Sequence, residues 1–359
     1  MRITRAKLLD LALKETERRA ANGDVISGYV IGSVAVGDSL VGGTGDVDLV
    51  LIHELEPGTS REIVPLSNDV HLDIHNHPKR LYAQPVELRH HPWQGPAMCE
   101  PAFLYDPSHF FEWAQAAVRG QFHRPDHVHA RAVAFLARAR RALGQIGARQ
   151  RWLAEYLSAV LETANAAASL AGFPPAGRRL GLQLRERLEA VSQFELFDRF
   201  QRLLGADRIS KRVCSDWTAL WTRAFDTASA EQAARRSEQR ESYRASDGQH
   251  QLSTNSSSQV AEIAIDPEIS LDRRSYFLAA FQSMIEDGNG EFILWPMLMS
   301  WERSMQSDRQ PEEHRRHWSG VLETLRLSPK HASRRESELE QLQDHVEVVL
   351  ETWAERVGA

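Results

Sequence analysis

The sequence predicts an α+β protein: an N-terminal α/β domain with a small mixed β-sheet, followed by a large region that is all helix. Three observations predict it. Apolar strand patterns separated by a glycine-rich turn fill the N-terminal part, amphipathic helical patterns fill most of the rest, and the charge is nearly balanced. The balance is 43 basic against 49 acidic residues, a net charge of -6 over 359 residues. With 42% hydrophobic residues, a chain of this length has enough apolar side chains for about two or three domains.

In chain order, residues 4–21 place Leu8, Leu9, Ala12, Leu13 and Ala20 mainly at helical spacing, and Gly23 stands where such a helix would stop. "VISGYVIG" (25–32) reads as a strand, and "DVDLVLIH" (46–53), after the glycine-rich turn, as a second. A third strand is expected at about 69–75 in "NDVHLDIHNH". From "PAFLYDPSHFFEWAQAAV" onward the pattern is helical, with helices expected over 126–146, 150–171 and 178–204. Residues 228–258 lack apolar periodicity and are rich in Ser, Gln, Arg and Glu, so they read as a flexible linker or loop. Helical patterns resume at 270–286, 290–306, 311–326 and 333–357, with Pro296 expected to kink or interrupt the second of these. The chain therefore divides at 1–120, 121–227, 228–258 and 259–359.

Composition excludes several classes of function. Without a basic surplus, stable nucleic-acid binding is not expected. The N-terminal stretch is charged throughout, and no apolar run approaches the ~18 to 20 residues of a membrane span. Cys99 and Cys214 are far apart and form no metal-ligand spacing, so neither a disulfide framework nor a zinc site is expected. The reducing cytoplasm is the expected location. Oligomeric state is not legible.

The chemistry concentrates in "GSVAVGDSLVGGTGDVDLVLI" (32–52) and "VHLDIH" (70–75). Successive strand side chains alternate faces, so Asp46 and Asp48 point the same way with Cα atoms about 6.5 to 7 Å apart. Val47, Leu49 and Leu51 take the other face. In the third strand His71, Asp73 and His75 share one face, and if that strand pairs beside the second, three carboxylates converge. Clustered carboxylates repel and are costly to bury, so the arrangement calls for protons or a cation. Oxygen ligands suit Mg²⁺, which completes its shell with water and substrate phosphates. The Gly32-Ser33 turn offers backbone N–H groups and a small hydroxyl to phosphate oxygens.

Gly32-Ser33, the following Gly37, Asp46-x-Asp48 and the later Asp73 together resemble the signature of the DNA polymerase β-like nucleotidyltransferase superfamily. The small N-terminal domain with a helical C-terminal region is similar to bacterial aminoglycoside nucleotidyltransferases. Two features depart from that pattern: the turn between Ser33 and Asp46 is longer and carries Gly42, Gly43 and Gly45, and Val36 stands where many relatives have arginine. The longer turn reads as a flexible loop. "GDSLVGGT" also looks superficially like a P-loop, but Gly43 stands in place of the lysine and a strand follows instead of a helix.

The resemblance implies a Mg-dependent nucleotidyltransferase that moves a nucleoside monophosphate from an NTP, with ATP the expected donor, to a hydroxyl of a small-molecule acceptor such as an aminoglycoside-like compound. Two Mg²⁺ ions are implied, about 3.5 to 4 Å apart. Asp46, Asp48 and Asp73 would hold the metals, Asp73 would be the catalytic base, and Gly32 and Ser33 would bind the nucleotide. Residues 1–120 would be the catalytic domain, 121–227 a helical substrate-binding domain and 259–359 its helical continuation. Glu155, Ser158, Glu162 and Asn165 form a polar stripe that reads either as a solvated helix face or as the lining of an acidic acceptor pocket suited to an amino sugar. The alternatives are an AMP transferase acting on a protein, as an antitoxin or regulator, and a catalytically silent nucleotide-binding module. His71, His75, His77, His90 and His91 read as structural histidines near an anionic pocket, not as a transition-metal site.

Overall fold

The computed structural model describes residues 4–37, 41–67, 69–145, 152–247 and 266–359. Five strands, β1 (Val25–Ile31), β2 (Gly45–His53), β3 (Arg61–Pro65), β4 (Val70–Pro78) and β5 (Ala102–Tyr105), form one sheet in the order β3-β4-β2-β1-β5. β2 and β4 run parallel and every other pair is antiparallel, so the sheet is mixed. β3 and β5, the two edges, are short strands that the sequence reading did not single out.

Alternation along β2 and β4 gives the sheet two unlike faces. Val47, Leu49 and Leu51 of β2 and Leu72 and Ile74 of β4 pack with Leu8 and Ala12 of helix α1 (Arg5–Ala20). On the other face, Val50 and Ile52 pack with Tyr29, Tyr82 and Phe111, under helices α3 (Gln94–Cys99) and α4 (Phe110–Arg119). This face changes character along β2, and its N-terminal end carries Asp46 and Asp48. Helix α2 (Gly32–Val36) is a single turn between β1 and the glycine-rich segment.

The rest of the described chain is helical: α5 (Pro125–Gln145), α6 (Trp152–Ala168), α7 (Leu180–Ala190), α8 (Phe194–Leu203), α9 (Lys211–Asp247), α10 (Arg274–Glu286), α11 (Leu294–Ser304), α12 (Glu312–Leu325) and α13 (Ala332–Val357). α5 and α6 pair and α13 packs across both, while α9 packs on α10 and α11 around Trp221, Phe225, Phe277 and Phe281. Among the described residues no helix is long and apolar enough to cross a membrane.

Two expectations are corrected. Residues 228–247, read as part of a flexible linker, continue the 37-residue helix α9. Their Ala, Arg, Glu and Gln content favours helix even without an apolar stripe. The stretch is also anchored: Ser229 donates to the Ile269 carbonyl at 2.7 Å, and Gln232 exchanges hydrogen bonds with the Asp266 backbone at 2.9 and 3.1 Å. Residues 248–258 of that expectation lie outside the described residues. The second correction concerns the glycine-rich turn. Gly42, at φ 61°, lies so close to the Ala279 carbonyl of α10 that any Cβ would collide with it, so this part of the turn is a docking point. Pro296 falls in the first turn of α11, where a proline is tolerated, and the irregularity lies just ahead of it as a 3₁₀ turn, Gly290–Ile293.

Candidate active site

The parallel register of β2 and β4 sets Asp46 opposite His71 and Asp48 opposite Asp73. Residues paired in register project to the same face, so Asp46, Asp48, His71, Asp73 and His75 stand together on the face opposite the Leu49 core. Asp46, Asp48, Asp73 and His75 form one wall of a cleft of about 880 Å³ between the sheet and the helical region, while His71 is buried outside its lining. Gly32 and Ser33 lie on its edge.

Gly32 starts α2 at φ 70°, and a Cβ at this position would strike the Asp48 carboxylate. Glycine is therefore required twice, by backbone conformation and by closeness. Arg5 holds the other end of the turn, donating to the Val34 and Ala35 carbonyls at 2.8 and 2.5 Å. The first N–H groups of α2 have no intrahelical partner, as in any helix, and they begin beside the carboxylates.

The three aspartates have unlike partners. Asp73 is 1% exposed and receives both prongs of the Arg61 guanidinium at 2.7 and 2.5 Å and one from Arg273 at 2.9 Å. Burial works against its charge, but Arg61 and Arg273 outweigh it and hold its carboxyl well below the usual carboxylate range. Asp46 accepts from the Tyr276 hydroxyl at 2.7 Å and lies 3.9 Å from Arg273. Burial opposes its ionisation too, yet Arg178, Arg273 and His71 keep it acidic. No hydrogen bond or ion pair to a described residue holds Asp48. Burial, followed by the charges of Asp46 and Asp73, pushes its carboxyl well above the usual range. Asp48 is thus the carboxyl of the edge least able to hold a negative charge without a cation beside it.

Ligand atoms of Asp48, Asp73 and His75 lie within 4.8 Å of one another. Two carboxylates and an imidazole, one carboxylate with no other partner, are a donor set that fits a divalent cation. Asp46, the third expected ligand, shares the face but gives its carboxylate to Tyr276. The expected base Asp73 is the most firmly ion-paired of the three.

Residues far away in sequence complete the wall. Arg61 comes from β3, and Glu268, Arg273 and Tyr276 come from a strap that runs through two 3₁₀ turns, Pro267–Ile269 and Leu271–Arg273, into α10. Glu268 pairs with Arg61 at 2.7 Å and lies 3.5 Å from Arg273, so one carboxylate orients both guanidinium groups. The Asp266 contacts with α9, together with Arg303 of α11 at 2.8 Å, tie the strap down. Arg178 donates to Thr44 and to the Tyr276 carbonyl at 2.6 to 2.8 Å and lies over the Tyr276 ring, joining sheet to helices. Nothing in the sequence marked Arg61, Arg178, Glu268, Arg273 or Tyr276. Their only signal was to be charged or aromatic within patterns that read as ordinary.

The polar stripe on α6 does not line the cleft. Asn165 is fully buried, and Glu162 pairs with Arg138 at 3.0 Å beside the Trp93 indole, one layer behind the wall. Leu161 is the α6 residue that reaches the cleft. The stripe lost its expected role because α6 packs on α5, α7, α8, α11 and α13, and leaves little free perimeter. His77 bonds to the Tyr82 hydroxyl at 2.7 Å, His90 packs on His127, and His91 accepts from the Trp93 and Gln94 amides. No protein-family model matches the chain, and no curated protein matches it.

Proposed function

We propose that the protein is a metal-dependent nucleotidyltransferase, moving a nucleoside monophosphate from an NTP, with ATP our expected donor, to a hydroxyl of a small molecule held in the cleft. The observation that carries this reading is Asp48 standing in register beside Asp73, without a neutralising partner and against the N-terminal turn of α2. A half-buried carboxylate crowded by two like charges and given no hydrogen-bond partner gains its neutraliser when a cation joins it. Asp48, Asp73 and His75 would hold that cation, with Asp46 joining once Tyr276 releases it. A divalent ion bound there supplies charge to the phosphate oxygens and acidifies the attacking hydroxyl.

The chain's own residues do the remainder. The open amides of Gly32 and Ser33 and the Ser33 hydroxyl receive the terminal phosphates and orient them for in-line displacement. Arg61 and Arg273, aimed at the carboxylate edge and steadied by Glu268, would be free to pair with triphosphate oxygens if a cation neutralised Asp73 in their place. Released from them, Asp73 accepts the acceptor's hydroxyl proton. The acceptor oxygen bonds to the α-phosphorus, the bond from that phosphorus to the bridging oxygen breaks, and pyrophosphate leaves with the electron pair. The concave, mixed polar and apolar lining of the cleft favours a small molecule over a protein acceptor.

The test is pyrophosphate release with Mg²⁺ and ATP across an acceptor panel, with mass spectrometry for a nucleotide-sized gain. Asp48→Asn is expected to abolish release and to raise the melting temperature of the metal-free protein, because it removes a charge the fold does not neutralise. Undiminished release from that variant contradicts the metal assignment. Label found on a copurified protein moves the reading to protein-directed AMP transfer, and ATP binding without release from any acceptor moves it to a silent nucleotide-binding module.

A further inference from the structure

The far wall of the cleft is chemically unlike the sheet wall. Trp93, Leu161, Phe173, Leu182 and Met299 line it, and each is only partly buried, so together they leave an apolar surface open inside the cleft. Val36, 49% exposed, extends that surface to the edge of α2. Folded chains seldom leave such a concave apolar surface without a ligand to cover it.

On this side of the cleft the arginines outnumber the glutamates. Glu268 is occupied by Arg61 and Arg273. Glu186 is 70% exposed and already 3.5 Å from Arg187, and Glu100 is exposed. The remaining charged cleft residues beyond the sheet, Arg178, Arg179, Arg187 and Arg303, are basic. An amino sugar with several ammonium groups needs buried, unspent carboxylates to repay its desolvation, and the far wall has none among the described residues. Aromatic rings and aliphatic side chains instead favour a flat apolar body, and Arg187, with one-quarter of its side chain exposed, can donate to an oxygen on it.

Resting on the nucleotidyl-transfer reading, we infer that the acceptor is a flat, largely apolar molecule that carries a hydroxyl and no positive charge, seated against Trp93 and Phe173 with its hydroxyl toward Asp73. Its hydroxyl oxygen forms the bond to the α-phosphorus and its proton goes to Asp73, so the reaction balances as written above. The account departs from the amino-sugar acceptor that the family resemblance implies.

Calorimetric titration of the full chain with naphthyl β-D-glucoside, neamine and methyl β-D-glucoside separates the possibilities, since all three carry sugar hydroxyls and differ in aryl or ammonium groups. The aryl glucoside is expected to bind, the other two much more weakly. Phe173→Ala is expected to weaken aryl binding about tenfold, the loss of one stacking contact. Leu161→Glu, which adds a carboxylate to the wall, is expected to shift preference toward neamine. Tighter binding of neamine by the wild type, absence of aryl binding, or an affinity indifferent to Phe173→Ala each overturns the inference. A parallel titration with Mn²⁺ and ATP keeps the two claims distinguishable. Aryl binding without nucleotide binding removes the transferase reading and leaves the pocket chemistry standing; nucleotide binding without aryl binding removes this inference alone.

Discussion

Asp73 and Asp48, neighbours across two parallel strands, are driven in opposite directions by what surrounds them. Two guanidinium groups compensate Asp73, while Asp48 faces like charges with no partner. Arg273 therefore competes with any cation for Asp73. Arg273→Gln is expected to bind Mn²⁺ alone more tightly, by about three- to tenfold for one lost charge-assisted contact, and to bind ATP more weakly. Electron paramagnetic resonance of free Mn²⁺ and a nucleotide titration read the two effects separately. Weaker Mn²⁺ binding would show that the guanidinium does not oppose the metal. At this scale the sequence was partly legible: alternation put Asp46 and Asp48 on one face of their strand and Asp73 with its histidines on one face of the next, and the pairing of the two strands brought them together. It could not show that Asp46 would be engaged by Tyr276, because that partner lies 230 positions away.

Among the elements, the single turn α2 and the strap over 266–273 decide what the acidic edge can do. Gly32 lets α2 begin against Asp48, and the left-handed conformation alone costs a residue with a Cβ about 1 to 2 kcal/mol. Gly32→Ala is expected to lower stability by at least that amount, through the added collision with Asp48, and to weaken nucleotide binding. Chemical denaturation and a nucleotide titration check it, and an unchanged midpoint would contradict the close approach. The strap was not legible, nor was the helix that holds it. Propensity over 228–247 is helical, but the absence of an apolar stripe concealed it. The polar stripe on α6 failed for the opposite reason: polarity was read as an accessible face, and the helix was surrounded.

Taken whole, the molecule is a mixed sheet whose one acidic corner is closed by a helical region, and that layout follows from patterns of period two and period 3.6. What closes the corner is long-range, and single-sequence patterns do not report it. Burial also sets the response of the whole fold to acid. It pushes the His71 and His77 imidazoles down to about 4 from an ordinary 6.5. In the unfolded chain they take up protons near 6.5, whereas in the fold they stay neutral, so stability is full above about 6.5 and is lost as the pH falls toward 4. Melting curves of the metal-free protein should follow that limb, and His77→Gln should flatten part of it; an identical limb in the variant would remove His77 from the account. The most direct measurement of the central claim is the anomalous diffraction of crystals grown with Mn²⁺ and a non-hydrolysable ATP analogue. We predict a manganese peak held by Asp48 and Asp73, with Arg61 and Arg273 on the triphosphate. A nucleotide-bearing cleft with no metal at those carboxylates, and both arginines still on Asp73, would contradict it.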